Sequence, residues 1–299
     1  MLWFNHRYRR LRQIEQLDPV INHSQICHLL AGYEFPWDIT RSLELAMLKT
    51  YCVPSISRLL DRTGEFHHHT QKRYDDTGLL VAEILKWGYD SPRGEEAIRR
   101  MNVIHGHYAI ANEDFLYVLS TFIYEPIRWN QRFGWRLFCE TEKQAIYRFW
   151  QVIGQKMNIQ NIPSTYEEFA EYNQNYEQQY FVYSDTNRRV GESKINLFLS
   201  WFPHLSRSAL KPLVYGMFDE RTITAFGFAH PSQMTRGLVA NILKLRGLSA
   251  RVFLPRSSPD FYTDSNLRSY PDGYKLQDLG PTKLLPELNK SHRQQPDIQ

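Results

Sequence analysis

Two histidines stand one residue apart in the segment MNVIHGHY, which otherwise has the pattern of a buried helix face. At spacings of three and four, His105 shares a face with Ala97, Met101 and Ile104, whereas His107 lies on another side. An inward-facing imidazole can ligate a metal ion or a haem iron, but it is more often a hydrogen-bonded residue of the core. The spacing alone leaves both interpretations open.

A second candidate is the segment KRYDDT, which places Arg73 and Thr77 four residues apart on one helical face. Asp75 and Asp76 then point elsewhere. The ordinary interpretation is an arginine in a surface ion pair beside a threonine at a helix start. The alternative is a buried cation and hydroxyl that face an anionic or polar ligand group.

Other potential ligands have simpler explanations. His67–His69 could bind a metal, but three adjacent histidines in a loop cannot all face one ion, so a solvated loop is predicted. Asp114 and Glu125 each fit a capping or salt-bridge role. The sequence contains no HExxH, glycine-rich phosphate loop or GxSxG, which excludes the commonest metalloprotease, nucleotide-binding and hydrolase motifs.

The composition is that of a soluble protein. The net charge of +4 comes from scattered basic residues, so nucleic acid is not an expected partner. No apolar run approaches the ~20 residues of a membrane helix. Trp3 and Phe4 with the arginines that follow resemble a surface-lying membrane helix, but the short apolar face favours a plain amphipathic helix. A reducing cytoplasm is predicted from three widely spaced cysteines, Cys27, Cys52 and Cys139.

Start and stop signals predict helices, and alternating strand patterns are scarce, so the fold class is all-α. Residues 1–253 are predicted to form a single helical domain. Residues 254–299 are predicted to be an irregular extension, with the last dozen, LNKSHRQQPDIQ, disordered. The helix that follows Asn112 is expected to end near Pro126. The predicted starting or capping residues are Asp38, Ser91, Asn112, Thr141 and Ser164.

The order of several unusual strings resembles the MpaB-type and latex-clearing (rubber oxygenase) haem protein family. These strings are VPSISRLLDRTGEF, QKRYDDTGLL and YDSPRGEEAIRRMNVIHGHYAIANEDFLYVLSTFIYEPIRW. The resemblance spans roughly residues 8–200 and is to the soluble bacterial branch rather than to the membrane-anchored fungal members. It implies a mostly helical protein with b-type haem that uses dioxygen to cleave isoprenoid carbon–carbon double bonds.

The resemblance also assigns residues. His105 matches the proximal haem ligand, with His107 as the fallback, and Arg73 and Thr77 match a pair on the opposite side of the haem. Asp76 stands where rubber-cleaving members have a lysine that can approach the iron, so no such lysine is implied. Aromatic residues of FLYVLSTFIY are candidates for the wall of a substrate channel.

The expected function is therefore a haem b-dependent oxygenase that acts with dioxygen on a small apolar substrate. Two alternatives differ in class. One is a haem-binding protein that senses, stores or carries haem or a gas without oxidising anything. The other is a helical protein that has lost the cofactor and acts by binding partners.

Overall fold

A computed structural model describes residues 7–293, and the side chains of residues 7–289. These residues form helices and turns with no strand, which confirms the all-α prediction. Trp3 and Phe4 lie outside the described residues. The helices are α1 (Arg9–Ile14), α2 (His23–Leu29), a π-helix (Leu30–Glu34), α3 (Pro36–Thr50), α4 (Pro54–Thr63), α5 (Glu65–His68), α6 (Thr70–Trp87), α7 (Pro92–Gly106), α8 (Asn112–Phe133), α9 (Glu140–Lys156), α10 (Tyr166–Tyr180), α11 (Asp185–Ser200), α12 (Arg207–Tyr215), α13 (Glu220–Phe226), α14 (Gln233–Val252) and α15 (Leu285–Arg293).

Helix α8 lies at the centre and packs extensively along α3, with α9 and α10 on its other sides. The main core gathers apolar residues of α2, α6, α8 and α9, such as Leu79, Ile123 and Phe149, which are fully buried. A second, smaller core joins α11, α12 and α13 around Val190 and Phe226. None of the helices between residues 7 and 293 is long and apolar enough to cross a bilayer.

Several helix starts differ from the prediction by a few residues. Helix α3 begins at Pro36, whose ring presets the helical φ angle at the first position. Asp38 is therefore inside the helix, where its carboxylate accepts hydrogen bonds from Trp129 (3.0 Å) and Arg246 (2.6 Å) instead of capping. By contrast, the Ser91 hydroxyl accepts the Gly94 amide at 3.0 Å, as a cap should.

The later caps are shifted by one or two residues. Asn112 is the first residue of α8, after Ala111, and Cys139 rather than Thr141 precedes α9. The capping box of α10 pairs Thr165 with Glu168, one residue beyond the predicted pair. Hydrogen-bond geometry at the helix end decides between neighbouring polar residues that are equally suitable by type.

The prediction that α8 ends near Pro126 was wrong, because the helix continues to Phe133. A proline inside a helix removes one backbone hydrogen bond and crowds the preceding turn. Here that cost is offset because α8 is buried along most of its length against α3. The histidine run also differs from the loop prediction, since His67 and His68 belong to the short helix α5.

The C-terminal extension, residues 254–293, packs along α6 and α7 through two 3-10 turns, Tyr262–Asp264 and Leu276–Asp278. It ends in α15, a helix where an irregular segment was predicted. The apolar Leu288 in this helix is 2% exposed, and its burial stabilises the helix on the rest of the protein. Residues 294–299 lie outside the described residues.

Candidate active site

Helix α6 has two functional faces, and one of them lines a cavity of about 760 Å³, a figure that includes its open mouth. Arg73, Thr77 and Val81 recur every fourth residue on this face, as helical periodicity requires. Its mostly apolar lining with a few polar groups is typical of small-molecule and cofactor sites. The remaining wall comes from α3, α5, α8, α11 and the C-terminal extension, through residues that include Ile39, Leu43, Glu44, Met47, Tyr51, Phe66, Phe122, Lys194, Phe261 and Tyr262.

Two glycines let the C-terminal extension close one side of the cavity. A Cβ atom on Gly78 would lie 2.7 Å from the Tyr262 ring, and a Cβ atom on Gly32 would lie 2.6 Å from the Phe261 ring. Any side chain at either position would push the extension outward. The wall therefore depends on contacts between segments that are far apart in the sequence.

Arg73 and Thr77 form a polar pair on the cavity wall. The Arg73 guanidinium donates a hydrogen bond to the Thr77 hydroxyl, which in turn donates to the Arg73 carbonyl at 3.1 Å. The guanidinium lies 5.5 Å from the centroid of the Phe66 ring. No carboxylate among the described residues forms an ion pair with Arg73. The cavity is thus lined by a cation that has donor capacity left for a ligand.

Asp75 and Asp76 point away from the cavity, toward the C-terminal extension. Asp75 accepts a hydrogen bond from the Tyr262 hydroxyl at 2.8 Å. Asp76 accepts from the Tyr270 hydroxyl and from the Gly280 amide at 3.1 Å. Both carboxylates are at least 96% buried. Their role is to hold the extension on α6, and Asp76 offers nothing to a ligand in the cavity.

His105 lies in the last turn of α7, which packs against α6. Its Nδ1 atom is buried and has no hydrogen-bond partner among the described residues. The ring packs edge to face on Phe115, with centroids 5.3 Å apart. Burial, together with the positive charge of Arg73, lowers the pKa of His105 to about 4, so the imidazole is neutral at pH 7.

A buried imidazole nitrogen without a partner is uncommon and calls for an explanation, such as a ligand. His105 itself is not part of the cavity wall, although the charge of Arg73 reaches it. The described residues provide no hydrogen-bond acceptor for its Nδ1.

His107 is arranged differently. It is exposed, and its Nδ1 lies 2.7 Å from the Val103 carbonyl oxygen. Its Nε2 faces the Glu287 carboxylate at 3.9 Å. Because His107 already has hydrogen-bonding partners at the surface, the geometry favours His105 as the candidate ligand.

Sequence reasoning missed Lys194, which α11 contributes to the cavity wall. Its ammonium lies 3.7 Å from the centroid of the Tyr74 ring. Burial lowers the pKa of Lys194 to about 8, although the nearby Glu44 carboxylate acts in the opposite direction. Nothing in the local sequence marks this residue, because only the packing of α11 on α6 brings it to the site. Within the predicted wall segment FLYVLSTFIY, Phe122 lines the cavity.

The remaining predicted ligands form no metal site. Among the residues that the structure describes, no group of three His, Cys, Asp or Glu side chains is placed to hold a metal ion. Glu125 belongs to a buried ion cluster with Lys49 (3.1 Å), and Asp114 accepts hydrogen bonds from Ser55 and Tyr176 (2.8 Å each). The cysteines Cys27, Cys52 and Cys139 are free thiols.

Comparison with known proteins identifies relatives that are named oxygenases. The chain is 28% identical to "ER-bound oxygenase mpaB'" of Penicillium brevicompactum over 261 residues, which are 81% of this chain and 62% of that protein. It is 31% identical to "ER-bound oxygenase mpaB" of the same organism over 189 residues, 57% of this chain and 48% of the relative. For "ER-bound oxygenase mpaB" of Penicillium roqueforti (strain FM164), identity is 28% over 244 residues, 72% and 82% of the two chains.

The matched part thus spans about half to two thirds of the two Penicillium brevicompactum proteins. A family model described as "ER-bound oxygenase mpaB/B'/Rubber oxygenase, catalytic domain" matches residues 43–248. The matched region contains Arg73, Thr77 and His105 as well as most of the cavity wall. The chain therefore belongs to the family of mpaB and rubber oxygenase catalytic domains.

Proposed function

We propose that the chain is a haem b-dependent oxygenase that uses dioxygen to oxidise or cleave a carbon–carbon double bond of an apolar, isoprenoid-like substrate. The observation that carries the proposal is the neutral, partly buried imidazole of His105, whose buried Nδ1 has no partner among the described residues. It lies in the helix next to α6, whose Arg73 and Thr77 face the cavity. Family membership supports the same class of activity.

The residues fit a haem group by their chemistry. His105 would be the iron ligand, since a neutral imidazole is the form that binds metal. Arg73 lacks a carboxylate partner among the described residues, so it could pair with a propionate or with negative charge that develops in the reaction. The largely apolar wall suits the flat face of a porphyrin.

When bound, haem supplies the iron at which dioxygen is activated. The protein's own residues position the polar groups of the site and exclude water from it. Thr77 orients the Arg73 guanidinium through their hydrogen bond, so the donors of that group have a defined direction. Phe66 and Phe122 exclude water from the reacting centre, which limits unproductive oxidation.

The wall of the cavity supports this substrate class. Leu43, Met47, Val81 and Leu85 contribute aliphatic surface, which matches an isoprenoid-like chain better than a charged or sugar-like molecule. The relatives are named oxygenases, which agrees with oxidation of such a substrate.

A cytoplasmic location is a further part of the proposal. The thiols of Cys27 and Cys52 are buried and unpaired, which fits a reducing compartment. The relatives are named ER-bound, so the membrane could be the site of action of a cytoplasmic chain. Fractionation of cells that express the tagged protein, with soluble and microsomal markers as controls, tests this point.

The central test is an absorbance spectrum of the purified protein after addition of haemin, in oxidised and reduced forms, with and without carbon monoxide. We expect a Soret band that shifts on binding carbon monoxide, because His105 as the single protein ligand would leave the iron able to bind a gas. Oxygen consumption with squalene, an apolar isoprenoid olefin, is then measured. A colourless protein after haemin would refute haem binding. Bound haem without oxygen consumption would favour the non-catalytic haem carrier.

A further inference from the structure

Helix α14 presents a row of large apolar side chains to solvent. The residues recur at spacings of three and four, so they lie on one face, while Val239 and Gly247 are buried on the opposite face. Each member of the row is at least 51% exposed, and Phe253 and Leu254 extend the row beyond the helix. The row, called the α14 surface below, consists of Met234, Leu238, Ile242, Leu245, Leu248, Val252, Phe253 and Leu254. Soluble monomers rarely leave such a continuous apolar face uncovered.

Basic residues border this surface. Lys244 and Arg251 follow one side of the row by helical periodicity, and neither forms an ion pair with a described carboxylate. Arg7 and Arg10 also approach this end, through the Ala250 carbonyl (3.4 Å) and the Arg256 carbonyl, but both lie against the buried Glu34 carboxylate. Residues 233–259 contain no Asp or Glu. The surface therefore combines exposed apolar groups with the positive charge of Lys244 and Arg251, which no described carboxylate pairs.

We propose that the α14 surface binds the face of a lipid bilayer that contains anionic phospholipids. An amphipathic helix of this composition lies in the plane of the interface, with its apolar side chains at the boundary between headgroups and acyl chains. Lys244 and Arg251 would then meet the lipid phosphates, to which juxtamembrane basic residues are attracted. The membrane is bound from its surface, without a spanning helix.

Charge favours a bilayer over a second copy of the chain as the occupant. In a symmetric dimer the same patch is present on both partners, so the basic borders would face a surface that carries the same excess of positive charge. Residues 233–259 offer no carboxylate to compensate it. An anionic membrane provides the complementary charge and an apolar phase together.

The position of the surface connects it to the cavity. The chain runs from Phe253 and Leu254 to Phe261 and Tyr262, which belong to the cavity wall. If the proposed oxygenase function holds, this segment offers an apolar substrate a route from the bilayer to the cavity. Lipid binding does not itself require haem or catalysis, so the two proposals can fail separately.

The test is flotation of the full chain with phosphatidylcholine vesicles, with or without about 30% phosphatidylserine. We expect the protein to float with the anionic vesicles at low salt. Binding should weaken at ~1 M salt, where the Debye length is about 3 Å. No flotation with either vesicle would overturn the proposal.

Two double variants test the surface itself. Leu245→Glu with Leu248→Glu should reduce the bound fraction at least ~10-fold, because two exposed apolar contacts are replaced by charges that anionic lipid repels. Lys244→Glu with Arg251→Glu should abolish the preference for phosphatidylserine. Leu205→Glu is the matched control, because Leu205 is an exposed leucine (94%) outside the α14 surface. It precedes α12, whereas the contact of α12 with α14 is made at the other end of α12, near Gly216.

Circular dichroism shows whether the variants are folded. If the Leu245→Glu, Leu248→Glu variant does not fold, the Lys244→Glu, Arg251→Glu variant tests membrane binding on its own. Flotation that is unchanged in both folded double variants would contradict the assignment. Sedimentation of the protein without lipid tests the other occupant. A dimer that the leucine pair dissociates, combined with no vesicle binding, would show that a second copy covers the surface.

Discussion

The Arg73 guanidinium and the Thr77 hydroxyl are joined by a hydrogen bond one helical turn apart on α6, and both line the cavity. Between them in the sequence, Asp75 and Asp76 face the opposite way and bind the C-terminal extension. One short segment therefore supplies both the polar groups of the cavity and the attachment of the segment that closes it. A change in the packing of α6 would therefore alter both the polar side of the cavity and the attachment of the C-terminal extension.

Replacement of Arg73 by Met should weaken haemin binding by about 10- to 100-fold, because a charge-assisted interaction is worth about 1.5–3 kcal/mol. Stability should change little, since no described carboxylate loses an ion-pair partner. Titration of haemin followed by absorbance measures the affinity. Arg58→Gln on the exposed face of α4 is the control, and equal affinities for both variants would contradict a role for Arg73.

Replacement of His105 by Ala should abolish the Soret band of the haemin-loaded protein, whereas His107→Ala should retain it. The apo form of a His105→Leu variant should be at least as stable as the wild type to urea. This is because Nδ1 has no hydrogen bond to lose among the described residues. An unchanged haem spectrum in His105→Ala would refute the assignment of the ligand.

Replacement of Tyr270 by Phe should destabilise the protein by about 1–3 kcal/mol, because the buried Asp76 carboxylate loses a hydroxyl donor. Urea unfolding measures the loss. The control is Tyr183→Phe, which removes a hydroxyl from an exposed bond to Asp185 and should cost within about 0.5 kcal/mol. If both variants lose the same stability, Tyr270 does not anchor the extension.

Lys49 is buried between Glu125 (3.1 Å) and Glu177 (2.9 Å), and Lys49→Met should cost about 3–5 kcal/mol because the two buried carboxylates would then share only the Arg128 guanidinium. Lys143→Met removes an exposed pair with Glu140 (3.2 Å) and should cost at most about 1 kcal/mol. Thermal and urea unfolding of both variants provide the comparison. A small loss for Lys49→Met would mean that Arg128 or water compensates for the missing ammonium.

Lys194 should make stability depend on pH. Burial lowers its pKa to about 8 from 10.5, so the unfolded chain binds more protons than the folded chain between these values. The contribution of Lys194 to stability therefore becomes more favourable as pH rises through this window. Lys194→Met should stabilise the protein by about 1–3 kcal/mol at pH 7.

The advantage of Lys194→Met should shrink toward pH 10, where the wild-type ammonium of the folded chain has lost its proton. Urea unfolding of both proteins at pH 7 and pH 10 measures the difference in their free energies of unfolding. Because the two proteins share all other titrating groups, the contributions of those groups cancel in this difference. A difference that stays constant between the two pH values would refute the lowered pKa.

The sequence by itself determined the helical class, because apolar residues at spacings of three and four report which face of each helix is buried. It also placed Arg73 and Thr77 on one face of α6 and His105 on the inner face of α7, since these relations lie within single helices. The ordered strings that resemble the oxygenase family were likewise readable without coordinates, and the family match confirms them.

Only the tertiary structure decided how the site is assembled. Lys194, Phe261 and Tyr262 reach the cavity because distant segments pack on α6, and periodicity does not specify which elements become neighbours. The continuation of α8 through Pro126 depends in the same way on burial against α3. The spacing of apolar residues in a helix shows which face is buried, but the packing of the whole chain decides which elements cover that face.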